Sequence, residues 1–339
     1  MKIVVTGGLG FIGSHTVVEL QQQGYEVIIV DDLSNSSITV LDGIEGITGI
    51  RPAFVQLDLR DGVGVKELFA ASNAIKGVIH FAASKAVGES VEKPLLYYEN
   101  NLVPLINLLK ELEQQEEACF IFSSSCTVYG QAEQMPINEE APIQLALSPY
   151  GNTKQIGEEI LTDVAKVSSI RTILLRYFNP VGSHESALIG ELPLGVPQNL
   201  VPFITQTAIG LRKELSVFGD DYDTPDGTCV RDYIHVVDLA KAHVAALKRL
   251  IDQKNTSAVE VFNVGTGKGS SVKEVIETFE AVNGLKLPYK IVERRAGDIT
   301  EAYACTKKAN EVLGWEAKYT LKDALRSAWK WEQKVRKQS

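Results

Sequence analysis

The sequence predicts an α/β protein: a doubly wound parallel sheet followed by a smaller C-terminal α/β lobe. Three observations carry this. The first half of the chain alternates short β-branched apolar runs with helical stretches, the rhythm of parallel strands joined by crossover helices. The chain opens on such a strand, Lys2 to Thr6, followed by Gly7, Gly10 and Gly13 and a helix from Phe11 to Gln22. Beyond Gly182 the rhythm fades into Pro-, Gly- and Asp-rich sequence over 183–232, which marks the second lobe.

Composition narrows the class. The 339 residues are 45% hydrophobic and 23% charged, an ordinary globular balance, and this length suggests roughly two domains. A net charge of −9 argues against a nucleic-acid surface. Cys119, Cys126, Cys229 and Cys305 show no C-x-x-C or Cys/His ligand spacing, so no structural metal is expected and a reduced, cytoplasmic chain is the simplest reading. The N-terminus enters a strand at once, leaving no room for a signal peptide. No apolar run approaches the roughly 20 residues of a membrane helix.

Taken in order, strands read at 2–6, 26–30, 53–57, 77–81, 119–123 and 171–176, and helices at 11–22, 62–71, 95–116 and 149–167. Right-handed crossovers bring every strand's C-terminal end to one edge, where ligands bind. In the second half, helices read at 199–213, 237–250 and 319–334, with one more strand at 259–264. Gly265-Thr266-Gly267 reads as a plain turn, because Lys268 does not continue a phosphate-loop pattern. Trp315, Trp329 and Trp331 read as packing residues, and the C-terminal Lys and Arg as a solvated helix end.

The chemistry collects at the strand ends. A strand, a glycine turn and a helix N-terminus form a pyrophosphate cradle, in the Rossmann manner. The second strand ends in Asp31-Asp32. A carboxylate there accepts a ribose 2′-OH and repels a 2′-phosphate, which selects NAD over NADP. Asp58-Leu59 follows the third strand, placed to meet adenine. His80 to Lys85, Ser123 to Gly130 and Arg176 to Pro180 follow the next three. His80, closing an apolar strand, reads as a satisfied core residue. Ser148-Pro149 is a good helix start, and Tyr150 and Lys154 then share one helical face. A free tyrosine titrates near pH 10, and a neighbouring ammonium and a cationic nicotinamide are expected to draw it toward neutrality as a base.

Thr6 to His15, Lys85 to Ser90, Ser123 to Gly130, Ser148 to Lys154, Arg176 to Gly182, Val230 to His235 and Arg294 to Asp298 together give the chain an end-to-end resemblance to the extended short-chain dehydrogenase/reductase family, in its nucleotide-sugar 4-epimerase branch. The resemblance implies a homodimer that interconverts UDP-glucose and UDP-galactose by transient oxidation at sugar C4. Tyr150 would be the base, Ser125 a proton relay, and Lys154 would tune Tyr150 and hold NAD. It implies NAD contacts at Gly7, Gly10, Phe11, Ile12, Gly13 and Asp31, then at Asn35, Asp58, Leu59, Phe81, Lys85, Asn100, Tyr150, Lys154 and Tyr177. UDP-sugar contacts would fall on Ser125, Tyr150, Asn179, Asn199, Leu200 and Phe218, with Arg231 and Arg295 on the pyrophosphate and Asp298 on the uridine ribose. Residues 1–179 would bind NAD and 180–339 the UDP-sugar, part of 235–265 returning to the first lobe.

Two positions depart from the branch. Cys126 replaces a common alanine, small for small. Ala302 stands where a bulky residue restricts the pocket, so its size implies that UDP-GlcNAc and UDP-GalNAc are also accepted. Of the rival readings, a 4,6-dehydratase would need carboxylates where Cys126 and Thr127 stand. A UDP-glucuronate epimerase or decarboxylase would need a basic group facing sugar C6. A non-catalytic NAD-binding sensor would have no use for Ser125, Tyr150 and Lys154 together.

Overall fold

The computed structural model describes residues 1–72, 75–295 and 298–338. Its centre is the seven-stranded parallel sheet that the alternation predicts. In chain order the strands are β1 (Lys2–Thr6), β2 (Glu26–Asp31), β3 (Ala53–Gln56), β4 (Ile75–His80), β5 (Cys119–Ser125), β6 (Arg171–Tyr177) and β7 (Val259–Val264). Their order across the sheet is β7-β6-β5-β4-β1-β2-β3. The order reverses beside β1, which puts a crevice at the C-terminal end of β1.

The strands alternate by face, and both faces are covered, as a parallel sheet requires. Ile3, Val5, Ile29, Ile121, Ile173 and Leu175 pack with helices Phe11–Gln22 and Val236–Ile251. Val4, Val30, Val78, Phe120, Phe122 and Leu174 pack with helices Gly62–Ala71, Pro94–Leu112 and Pro149–Val167. A separate apolar cluster, with Val201, Ile204, Val217, Phe279 and Leu325, serves the C-terminal lobe, whose short strands form two- and three-stranded sheets.

Several boundaries differ from expectation. The helix expected at 95–116 is Pro94–Leu112, preceded by a separate short helix, Val87–Glu92. Pro94 has no N–H to continue the first helix, yet suits the first position of the second. The helix expected at 199–213 ends at Ala208, just before Gly210 turns left-handed at φ 87°. Besides Val87–Glu92, helices Val40–Thr48 and Val272–Asn283 and the helical turn Ala309–Leu313 were not expected; Val272–Asn283 starts at a capping box of Ser271 and Glu274 that its sequence does carry.

The tryptophans pack: Trp315 donates Nε1–H to the Asp238 carbonyl, Trp329 meets Phe279 edge-on, and Trp331 donates to the Glu191 carbonyl. The C-terminal helix end is not simply solvated, because Lys330 and Lys334 reach the carbonyls of Glu185 and Ser186.

Candidate active site

The cradle at the end of β1 is built from backbone. Gly7 holds φ +63°, a left-handed conformation that favours glycine, and a Cβ there would stand 2.8 Å from the Ala82 nitrogen. A Cβ on Gly13 would collide with the Gly7 carbonyl oxygen. Helix Phe11–Gln22 therefore starts hard against the strand. No side chain caps its N-terminus at Gly10 and no acidic residue lies in its first turn, which leaves a positive helix end facing the crevice. Phe11 and Ile12 occupy that turn, Ile12 packed on the core and Phe11 edge-on to His15.

Asp31 ends β2 and is 8% exposed. Its carboxylate accepts from the N–H of Leu9 in the turn at 3.1 Å, and from Leu33 N–H and the Ser36 hydroxyl on the following loop. Asn35 is exposed on that loop. Asp58 carries an ion pair to Arg60 at 2.6 Å, which lowers its pKa through that hydrogen bond. Leu59 differs from a pocket-lining residue: its side chain is in the core. Phe81 lies 4.6 Å from the His243 ring. Asn100 donates to the Ser84 hydroxyl. The glycine turn, the bare helix end and Asp31 together fit a dinucleotide.

Tyr150 and Lys154 meet Ser125 where β5 ends. Ser148 caps their helix by accepting from Gly151 N–H at 3.1 Å. Ser125 is 6% exposed, and its Oγ accepts from Thr127 N–H. It acts on the neighbouring Tyr150 phenol, whose pKa it lowers against the effect of burial. Lys154 is 4% exposed and donates from Nζ to the Ser123 carbonyl at 2.8 Å, 5.9 Å from the centre of the Tyr150 ring. Tyr177 accepts a hydrogen bond from Ser123, and burial pushes its phenol up to about 12.

The electrostatics correct one expectation. Lys154 does not by itself draw Tyr150 toward neutrality. Burial raises the Tyr150 phenol above its ordinary 10, the adjacent Tyr177 adds to this, and the Ser125 hydrogen bond only partly opposes it. Burial also lowers Lys154 to about 8, against the pull of Glu158, so its ammonium is the weaker partner. The lowering has to come from added positive charge, which a bound nicotinamide carries. His80 is the core residue expected: Nδ1 lies 2.8 Å from the Thr6 hydroxyl, and burial lowers its pKa to about 3. Cys126 is a neutral thiol, pushed up to about 11 by burial.

Three supports were not anticipated. Glu158 follows Lys154 by four residues, and its buried carboxylate pairs with Arg176 at 2.5 Å and accepts from Ser124. The Tyr150, Lys154 and Glu158 spacing was visible in the sequence; its partner on β6 was not. Asn101 joins Ser84 to Thr153, whose hydroxyl donates to the Tyr150 carbonyl, and so ties the loop after β4 to the helix that carries Tyr150. Asp232, within Val230 to His235, accepts from the N–H groups of Thr266, Gly267 and Ala304. The Gly265–Gly267 segment is thus more than a plain turn: it closes on a buried carboxylate.

Across the crevice, Arg231 and Arg295 both reach Asp298, at 3.3 and 3.2 Å, and the Arg295 guanidinium lies 4.8 Å from the Phe218 ring. Ala296 and Gly297 of the same stretch lie outside the described residues. Strand Glu301–Ala302 pairs with Val230–Arg231, setting Ala302 opposite Arg231 and among Val128, Tyr129 and Phe178. Asn179 pairs with Tyr233 in a parallel ladder. Asn199 starts helix Leu200–Ala208, with Leu200 in its first turn, and donates to Glu191. The residues expected to meet NAD thus lie mainly along the strand ends of the large sheet, and Asn199, Leu200, Phe218, Arg231, Arg295 and Asp298 lie in the C-terminal lobe. Among the described residues no group of three or more acidic, His or Cys side chains could hold a metal.

A glycine cradle beside a serine, a tyrosine and a lysine at the carboxyl edge of a parallel sheet defines a dinucleotide-dependent protein of the short-chain dehydrogenase/reductase class. The family profile described as GDP-mannose 4,6 dehydratase matches residues 4–328. The UDP-glucose 4-epimerase 2 of Arabidopsis thaliana is 50% identical over 334 residues, 97% of this chain and 94% of the relative. A UDP-glucose 4-epimerase structure from Stenotrophomonas maltophila, with bound NAD and formylated UDP-arabinopyranose, is 48% identical with a TM-score of 0.96 over 100% of both chains. One from Bifidobacterium longum, in complex with NAD+ and UDP, is 50% identical with a TM-score of 0.93 over 98% of each. The chain belongs to this family, and within it to the UDP-glucose 4-epimerases.

Proposed function

We propose that this protein interconverts UDP-glucose and UDP-galactose with a resident NAD. The observation that carries the reading is its 48–50% identity, over nearly its whole length, to UDP-glucose 4-epimerases. The buried Ser125–Tyr150–Lys154 cluster supports it. NAD, when bound, supplies the acceptor and then the donor of the C4 hydride.

The rest is work for the chain. Tyr150 takes the 4-OH proton, with Ser125 as relay, and later returns it. Lys154 holds the nicotinamide ribose and keeps positive charge near the phenol. Arg231 and Arg295 grip the pyrophosphate while the 4-ketosugar turns over between them and Tyr150. Cys126 and Thr127 offer no carboxylate for an elimination, although the family profile carries a dehydratase description.

Residues 1–179 are assigned to NAD and 180–339 to the UDP-sugar, with the helix Val236–Ile251 and β7 counted in the first lobe because they cover and extend its sheet. Helices Pro94–Leu112 and Pro149–Val167, packed together with Leu95 81% exposed, are the proposed surface of a homodimer. A cytoplasmic location accords with four free cysteines; among the described residues no helix is long and apolar enough to cross a membrane.

The purified protein, given UDP-galactose and no added nucleotide, is expected to form UDP-glucose, read by chromatography. Conversion only after adding NAD would keep the chemistry and remove tight retention. No conversion even with NAD would overturn the reading.

Ala302, small and 7% exposed beside Arg231, supports a pocket that also admits N-acetyl sugars. Ala302→Tyr is expected to lower the ratio of UDP-GalNAc to UDP-galactose turnover about tenfold or more; an unchanged ratio would remove that extension.

A further inference from the structure

One acidic side chain outside the expected site touches both of its walls. Glu191 lies in the loop between Gly182 and helix Leu200–Ala208, and its side chain is 13% exposed. Its Oε1 accepts from Asn199 Nδ2 at 2.8 Å and lies 3.5 Å from Lys85 Nζ. Lys85 follows β4 on the cofactor wall, and Asn199 starts a helix on the substrate wall. A single carboxylate oxygen therefore joins the two lobes.

The loop that presents Glu191 is fixed from behind. Its backbone carbonyl accepts from Trp331 Nε1 at 2.8 Å. Gly190 lies so close to the Trp331 ring that a Cβ there would meet ring carbon at 2.6 Å. Ser183 donates to the Ser327 carbonyl, and Lys330 to that of Glu185. The C-terminal helix thus braces the backbone end of the bridge, and the carboxylate end meets Lys85 and Asn199. Holding an amide and an ammonium on one oxygen restricts both side chains before any ligand arrives, which reduces the ordering cost of binding.

We infer that Glu191 is a positioning residue that couples the cofactor and nucleotide sites, by holding Lys85 and Asn199 on one carboxylate oxygen. The inference rests on the proposed function, with Lys85 as the NAD contact and Asn199 as the UDP-sugar contact that the family resemblance implies. Its consequence is that a change at Lys85, on the cofactor wall, alters affinity for UDP on the opposite wall, and does so only through Glu191. Glu191→Gln keeps an oxygen acceptor for Asn199 but loses the charge that holds Lys85.

The test is UDP binding by calorimetry to NAD-saturated protein, for the native chain, Lys85→Met, Glu191→Gln and the pair, with a thermal melt of each. Lys85→Met is expected to weaken UDP roughly threefold in the native background and not at all in the Glu191→Gln background. Lys85 is half exposed, so Lys85→Met is expected to fold even if Glu191→Gln does not, and it tests the coupling alone. Unchanged UDP affinity in Lys85→Met overturns the inference. So does a threefold loss that persists in the Glu191→Gln background, since the two residues would then act independently. The same native sample assayed with UDP-galactose reports on the proposed function separately: conversion without coupling would remove only Glu191's role.

Discussion

The two walls of the crevice are made by different means. The cofactor wall is a strand end, a glycine turn and a bare helix terminus, so its recognition groups are backbone N–H and the space left by absent side chains. The substrate wall is assembled from two-residue strands and held by charge: Arg231 and Arg295 on Asp298, and Asp232 on three backbone N–H groups. The first is rigid because a large parallel sheet lies beneath it. The second is held by a few polar contacts, and all but the Arg295–Asp298 pair join residues 34 or more positions apart in the chain. The difference suits the proposed chemistry. A dinucleotide that stays bound needs a site that does not open, whereas a UDP-sugar has to enter and leave.

The largest expected effect breaks the first wall. Gly13→Val would drive a side chain into the Gly7 carbonyl, in a turn that cannot shift without moving β1. The expected outcome is protein that folds but carries no NAD after gel filtration, read by absorbance and by nucleotide extraction, with NAD affinity lower by about a hundredfold or more. The second wall breaks differently. Asp232→Asn keeps the shape but puts an amide N–H where N–H donors already converge. Leaving buried donors unpaired costs about 1–3 kcal/mol each, so a loss of about 3 kcal/mol in stability is expected, with UDP affinity falling and NAD retained. If Asp232→Asn instead released NAD and spared UDP, the two walls would not be independent in the way described.

The same contrast explains what the sequence made legible. The seven strands and most helices of the sheet were visible because their signals are local: β-branched runs, a Ser-Pro start, glycines three apart. Tyr150 and Lys154 were visible for the same reason, lying one helical turn apart. Helix Val272–Asn283 was local too, and its capping box could have been read. By contrast, the partners of Asp232 are up to 72 positions away, those of Arg176 18 and 47, and Glu191 meets Lys85 across the whole first lobe. Nothing in the neighbourhood of Glu191 marks it, because its role is created by tertiary contact. The effect of burial on Tyr150 was hidden from the sequence for a related reason. The lysine is readable four residues on, but the burial that dominates both groups exists only in the folded protein.

The smallest expected effect sharpens the comparison with pH. An arginine guanidinium does not lose its proton in proteins, so the grip of the substrate wall on UDP is expected to stay constant from pH 7 to 9. On the cofactor wall, burial lowers Lys154 to about 8 from its ordinary 10.5. Its ammonium is therefore retained below pH 8 and lost above it, and kcat is expected to fall above about pH 8 while UDP affinity holds. Stability moves the other way. Between pH 8 and 10.5 the unfolded chain binds a proton at Lys154 that the folded chain does not, so the contribution of this residue to stability rises with pH across that window. Denaturant midpoints of native protein and Lys154→Met, compared at pH 7.5 and 9.5, are expected to shift in favour of the native chain at the higher pH by about 2 kcal/mol. A difference that is flat with pH would mean that the folded protein holds Lys154 at an ordinary pKa. The alkaline fall in kcat would then have to belong to another group.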